Sequence, residues 1–327
     1  MNGSQPAPAQ GFSSVHSAIE TWFAANARDL PWRGGRSPWG VLVSEIMLQQ
    51  TPVVRVQPVW EEWMRRWPTP GALAAEPSGE VVRAWGRLGY PRRALRLHAA
   101  AGAMVESFGG EVPGTYEALL TLPGVGSYTA AAVAAFAFGR RENVVDTNIR
   151  RVHARLVSGK ALPSPSLTAA EMALSASLLP ADPGESVLWN AGVMELGALV
   201  CTARTPKCGL CPVQDECAWI AAGQPEPDYI PKGQPWAGTD RQVRGAVMAV
   251  LRAAEQPVHL DLFLAPAADL AVEAEPGLDP AHRGPVRVQL ERLHALNTDP
   301  GQLDRAIAGL LTDGLAQHSE TGLHLPN

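Results

Sequence analysis

Four thiols confined to one short run constrain this chain more than any other feature. Cys201, Cys208, Cys211 and Cys217 stand in a C-x6-C-x2-C-x5-C pattern, with Pro206 and Pro212 bending the backbone so that the sulfurs converge, and there is no further cysteine. A secreted disulfide framework is therefore disfavoured and a metal site favoured. Zinc accepts four thiolates at C-x2-C spacing as an iron-sulfur cluster does, so the spacing alone leaves both open.

The remainder must supply a fold around that site. At 327 residues, 46% hydrophobic and 18% charged, the chain is ordinary globular material, long enough for about two or three cores. No run of roughly 18 uncharged apolar residues occurs, and Met1 to Gln10 lacks both a basic start and an apolar stretch. A soluble, cytoplasmic protein without membrane contact is expected. The net charge of −5 is unevenly spread: residues 28–160 carry 17 Lys+Arg against 11 Asp+Glu, a net of +6, and the other residues carry 10 against 21, a net of −11. A basic region is the footprint of a nucleic-acid binder, but a solvated helix face also collects arginine, so charge alone does not decide.

Helical spacing dominates the first two thirds. Trp60, Trp63 and Trp67 recur at i, i+3, i+7 as core positions, residues 129–138 are alanine-rich, and strand signals are scarce before residue 240. Residues 223–238 read as a Pro/Gly linker. Beyond it come a helix over 239–255, a second with Leu303, Ile307, Leu310 and Leu311 on one face, and a hairpin around Glu320 to Gly322, the pattern of a small winged-helix-like domain. No internal repeat is present.

Three segments carry chemistry. Leu122-Pro123-Gly124-Val125-Gly126-Ser127 separates two helices; its glycines permit a tight turn, and N–H groups at the second helix start suit a DNA phosphate, although a plain helix-helix turn fits as well. Asp146 precedes a helix opening at Thr147, as a helix N-cap does, and the partial positive charge there favours its anion. A carboxylate anion is what an oxocarbenium-like sugar requires. Glu45 shares a helical face with Val41, Leu42 and Leu48; apolar surroundings raise a carboxyl pKa and so poise it to donate a proton, whereas an exposed face would leave it an ordinary surface residue. Two carboxyls with separated pKa values are what glycosidic cleavage asks for.

With these residues in view, the chain resembles the A/G-specific adenine DNA glycosylases, the MutY family of helix-hairpin-helix glycosylases, over roughly residues 20–222. The matching strings are Leu30-Pro31-Trp32-Arg33, Ser44-Glu45 through Met47-Leu48-Gln49-Gln50-Thr51, Leu88-Gly89-Tyr90, Leu122 to Gly126, Val145-Asp146 with Asn148, and Met194 to Ala198 leading into Cys201. The resemblance implies a [4Fe-4S] cluster on the four cysteines, acting as a structural clip near DNA. It further implies that Glu45 protonates adenine at N7 and Asp146 stabilises or captures the sugar cation, with Asn148 and Tyr128 in support. Trp32, Arg33 and Leu48 would line the base pocket, Gln49 would favour adenine together with Gln50 and Thr51, and Gln50, Thr51 and Tyr90 would wedge into the stack beside Leu88 and Gly89 as the base is flipped out. Gly124, Val125 and Gly126 would hold the backbone.

Bifunctional relatives such as endonuclease III carry a lysine at position 128 that attacks the sugar; tyrosine there implies a monofunctional enzyme. Thymine mismatch glycosylases also carry tyrosine at this point, so the base is not settled by it. Thr147 replaces a usual glycine, Pro91 a second tyrosine, and Ala191 follows Asn190 where Gln or Glu often reaches towards adenine. The Phe-Ser-His loop with which many members read 8-oxoguanine is not evident.

The expected fold is all-α and two-lobed, with residues 1–11 disordered, residues 12–37 and 147–222 forming the cluster lobe, 38–146 a helical barrel lobe, 223–238 a linker and 239–327 the winged-helix-like domain, here expected to act mainly as a cap. The active site is expected between the lobes. The expected function is excision of adenine opposite 8-oxoguanine or guanine from double-stranded DNA by a nucleoid-associated monomer. A thymine or uracil mismatch glycosylase and a non-catalytic iron-sulfur DNA-binding protein are the alternatives.

Overall fold

The computed structural model describes residues 12–35, 37–231, 233, 235–264 and 280–327; the N-terminal residues 1–11 expected to be disordered lie outside the described residues. The helices run α1 (Ser13–Asn26), α2 (Pro38–Met47), α3 (Val53–Arg66), α4 (Pro70–Ala74), α5 (Ser78–Trp85), α6 (Arg92–Phe108), α7 (Tyr116–Leu120) and α8 (Ser127–Phe138). They continue with α9 (Thr147–Leu156), α10 (Ala169–Leu178), α11 (Pro183–Leu199), α12 (Ala218–Ala221), α13 (Asp240–Ala253), α14 (Leu260–Leu264), α15 (Pro280–His294) and α16 (Pro300–Thr312). A hairpin of β1 (Gln317–Ser319) and β2 (Gly322–His324) ends the chain, and the helical expectation holds. Two compact units result, one of Met1–Ile46 with Val112–Lys232, the other of Met47–Glu111 with Gly233–Asn327.

In the first unit α8 is the central strut. Thr129 to Ala135 are all buried, and small side chains on every face let neighbouring helices approach closely. Ile19, Val152, Trp189, Val193 and Leu196 pack in the same core. Helix starts are set locally: Asp146 accepts from Ile149 N–H, Thr168 and Glu171 form a capping box, and Asp182 caps α11, whose first residue is Pro183. Helix α11 lies so near α9 that a Cβ on Gly197 would stand 2.7 Å from Asn148 Cβ.

In the second unit Trp63 meets Trp67 and Trp85 edge-on, with ring centroids 4.9 and 5.5 Å apart. Trp63 and Trp67 are core as expected, while Trp60 is only half-buried. Helix α13 buries Val243, Val247 and Leu251 against α15 and α16, where Leu303, Ile307 and Leu310 are buried. Reciprocal bonds tie this end to α5: Arg83 donates to the Arg252 carbonyl, and Arg252 Nε to that of Val82 at 3.1 Å. Ser78 Oγ holds the Asn327 carbonyl at 2.9 Å.

Candidate active site

Glu45 sits in the last turn of α2 with Val41, Leu42, Val43 and Ile46 all buried around it, and is itself only 7% exposed. Such a helix is apolar on nearly every side, so the carboxyl has little water to lean on. Tyr128, in the first turn of α8, donates its hydroxyl to Glu45 Oε2 at 2.8 Å. Burial pushes the Glu45 carboxyl up to about 7; the Tyr128 bond and the charge of Arg33 pull it down, and the charge of Asp146 pushes it up. Burial likewise drives the Tyr128 phenol well above its ordinary value, so it remains a donor.

Asp146 caps α9 in extended conformation. Its Oδ1 accepts from Ile149 N–H at 2.6 Å and its Oδ2 from Asn148 Nδ2 at 2.9 Å. Its carboxyl is nevertheless raised, because burial outweighs those donors and the charge of Arg151; the helix start alone does not fix the anion, as the sequence suggested it would. Arg151 extends the network: it donates to Asn148 Oδ1 at 2.7 Å, to the Gly197 carbonyl at 2.6 Å and, through Nε, to the Cys201 carbonyl at 2.7 Å. A continuous hydrogen-bonded path thus joins the cysteine loop to Asp146.

Trp32 is buried at 7% exposure, and beside it Arg33 reaches Glu195. Glu195 is fully buried and receives Arg28 Nε and Nη2 at 2.7 Å, the Arg28 backbone N–H at 2.9 Å, and Arg33 Nη2 at 3.0 Å. Burial opposes its ionisation, but these donors win and hold it at about 2. Nothing in the sequence marks Arg28, Glu195 or Arg151 as functional; Arg28 and Glu195 are 167 positions apart, and no local spacing signals such a pair.

The four thiols are partly buried and unbonded to one another, gathered about Arg155 and the start of α12. Arg155, buried beneath Trp219 with its guanidinium 4.8 Å from the ring centroid, donates to Cys201 Sγ at 3.3 Å, while Cys217 Sγ lies 3.6 Å from the Arg155 carbonyl and Gln224 Nε2 donates to Cys208 Sγ at 3.7 Å. Burial raises the Cys211 thiol to about 11, with the neighbouring thiols adding to it. Among the described residues no three metal-ligating side chains crowd together as they would round one ion. Four soft thiols in one loop, with N–H donors to the sulfurs of Cys201 and Cys208, fit an iron-sulfur cluster.

Leu48, Gln49, Gln50, Thr51, Leu88, Gly89 and Tyr90 belong to the second unit, and Gly124, Val125 and Gly126 to the first. Leu48 and Gln49 are half-buried just past α2, Thr51 Oγ1 donates to the Leu88 carbonyl at 3.1 Å, and Arg93 donates to the Gln49 carbonyl and lies 5.0 Å from the Tyr90 ring centroid. Gln50 and Tyr90 are exposed and left-handed, with φ of 54° and 46°; non-glycine residues hold such angles only where surrounding structure enforces them. Pro91 caps α6 directly after Tyr90. In the α7–α8 turn only Gly124, at φ 76°, needs glycine's freedom; Gly126 has an ordinary extended φ of −97° and Val125 is buried. Thr147 takes a normal helical place and needs no glycine, and Asn190 is committed to the Glu142 carbonyl at 2.9 Å.

The HhH-GPD superfamily of base excision DNA repair proteins matches residues 43–176, and the iron-sulfur binding domain of endonuclease III matches residues 201–217. An adenine DNA glycosylase of Mycobacterium tuberculosis is 48% identical over 92% of this chain and 90% of its own length; one of Mycolicibacterium smegmatis is 45% identical over 92% of both. A solved thermostable thymine-DNA glycosylase superposes with a TM-score of 0.57 at 31% identity, covering 64% of this chain and 95% of that one. The cysteine loop is thus a [4Fe-4S] site. Likeness that spans the helices holding Glu45, Tyr128 and Asp146, the cysteine loop and the C-terminal residues together means that the chain belongs to the adenine DNA glycosylase family.

Proposed function

We propose that the chain is a monofunctional DNA glycosylase that releases mispaired adenine, opposite 8-oxoguanine or guanine, by acid-assisted cleavage of the N-glycosidic bond. One observation carries this reading: a buried carboxyl, Glu45, whose proton is retained to about pH 7 by burial, stands in the electrostatic field of a second, better solvated by donors, Asp146. Glu45 hands its proton to the leaving base at N7, which converts a poor leaving group into a neutral one. Asp146, held by Ile149 N–H and Asn148, stabilises or captures the sugar cation until water completes hydrolysis. Tyr128 occupies the place where a lysine would open the sugar, so the product is an abasic site and an uncut strand.

Trp32 and Arg33 line the base pocket, and the buried Glu195–Arg28–Arg33 group fixes its polar edge. Gln50 and Tyr90 enter the duplex, Thr51, which is buried with its hydroxyl on the Leu88 carbonyl, braces them from behind, Gln49 contributes to adenine preference, Leu88 and Gly89 hold Tyr90 out, and Gly124, Val125 and Gly126 present N–H groups to a phosphate. Cys201, Cys208, Cys211 and Cys217 hold the [4Fe-4S] cluster, which when bound clips this loop as a structural crosslink. A monomer in the cytoplasm, associated with the nucleoid, is the expected working form; no described helix is long and apolar enough to cross a membrane.

Base release from A·8-oxoguanine, A·G and T·G duplexes tests the whole reading. Adenine is expected from the first two, with no strand cut until alkali is added. Thymine release alone would install the mismatch alternative suggested by Tyr128 and the solved thymine-DNA glycosylase, and binding without any release would leave a non-catalytic DNA-binding protein.

A further inference from the structure

Residues 239–327 hold 12 Asp+Glu against 7 Lys+Arg, an average that argues against contact with DNA. Their placement argues the reverse. A cleft of about 860 Å³ opens within the second unit. Gln50, Arg55, Arg87, Tyr90 and Arg92 line one wall; Arg241, Arg244, Arg252 and Arg292 line the other, on α13 and α15, with Trp236 before them.

Asp313 is the sole carboxylate among the lining residues, and it is already shared between Arg92, at 3.1 Å, and Arg244. Arg55 donates to the Arg87 carbonyl, Arg252 to that of Val82, and Arg292 to Gln289 at 3.4 Å, all uncharged acceptors. The exposed Arg87 guanidinium has no hydrogen bond or ion pair among the described residues. Seven arginines round a concave site with a single carboxylate among its lining residues make a site for an anion, and their number suits a string of phosphates better than one. The aromatic groups add a second element. Trp236 and Tyr90 are about half exposed, at 52% and 50%, and Arg241 lies 5.3 Å from the Trp236 ring centroid, an arrangement that offers a base a flat face.

We propose that this cleft grips a DNA strand, with Arg55, Arg87 and Arg292 on consecutive phosphates and Trp236 under an adjacent base. One of the three phosphate contacts, Arg292, is then supplied by residues 239–327 despite their net charge, and those residues are part of a strand clamp, not only the cap expected from their composition. The inference rests on the reading of the chain as an enzyme of duplex DNA.

The test uses the full holoenzyme and a duplex with a non-hydrolysable fluorinated adenosine opposite guanine, titrated across a salt series. Each lost phosphate contact lowers the slope of log K against log salt by about 0.9, so R87A/R292A is expected to lower it by about 1.8. R87K/R292K, which keeps both charges, retains the slope. R65A/R305A removes two exposed arginines outside the cleft and leaves it unchanged. A slope for folded R87A/R292A equal to that of wild type overturns the clamp. Adenine release by wild type is read separately: its absence would sink the glycosylase reading, whereas an unmoved slope beside normal release would sink the clamp alone.

Discussion

Removing one hydroxyl should move the pH limit of catalysis upward. Tyr128 donates to Glu45 Oε2 at 2.8 Å, and a donor to a carboxylate stabilises the charged form, so Tyr128→Phe takes away part of what holds the Glu45 pKa down to about 7. A hydrogen bond to a charged group contributes about 1.5–3 kcal/mol and one between neutral groups about 0.5–1.5, a difference on the order of 1.4 kcal/mol. That is roughly one pKa unit. The alkaline limb of base release should therefore shift from about 7 to roughly 8. A general acid at pH 8 would be about one tenth protonated in wild type and about half in the variant, so their rates, each scaled to its own acid plateau, should differ by about fivefold there and agree below about pH 6. Release should be followed in single turnover at subsaturating enzyme, where the profile reports groups of the free protein. A contact between Tyr128 and the substrate would lower the plateau without moving the limb. A limb that stays in place, or moves to lower pH, refutes Glu45 as the acid under Tyr128's control.

Glu45→Gln should abolish release, and its effect on stability has a defined sign. Because the folded pKa is raised from 4.5 to about 7, the penalty of the buried carboxyl is absent below about pH 4.5, grows between 4.5 and 7, and is complete above, at about 3 kcal/mol. The glutamine variant should gain that advantage over wild type at pH 8 and lose it at pH 4.5 in denaturant titrations, and a pH-independent difference would show that the carboxyl is not held protonated. Arg151→Met strands the buried acceptors of Asn148, Gly197 and Cys201, at about 1–3 kcal/mol for each left unpaired. It should slow release while freshly loaded protein keeps its visible cluster absorption, and a wild-type rate in that loaded variant would disconnect the cysteine loop from Asp146.

What could be read from the sequence was what local spacing encodes. Four cysteines in one run, a carboxyl amid valine and leucine at helical intervals, and an aspartate before a helix each carry their meaning within a few residues, and each is where that meaning puts it. Contacts that join distant segments carry no such mark. Tyr128 meets Glu45 across 83 positions and Arg28 meets Glu195 across 167; any helix may bear a tyrosine or a glutamate, and only packing selects the pair. The hairpin shows the converse error: Gly124 and Gly126 look alike in sequence, yet a left-handed φ falls on Gly124 alone. Nor does composition show placement at the C-terminal end: net charge averages over faces, whereas Arg241, Arg244, Arg252 and Arg292 all line one cleft.

The first unit makes three different groups out of the carboxyls of Glu45, Asp146 and Glu195. All are pushed towards neutrality by burial, so burial cannot be what distinguishes them; the number and charge of the donors does. Glu195 receives five N–H contacts from two arginines and is an anion at any pH the protein meets, which makes it a fixed point for Arg33. Asp146 receives a backbone N–H at a helix start and an amide, enough to offset much of the cost of its charge without a cation in direct contact. Glu45 receives one phenol and keeps its proton to about pH 7. Carboxyls that differ this much therefore need no unusual residues, only an unequal supply of donors, and the supply is set by which helix start or arginine each carboxyl faces.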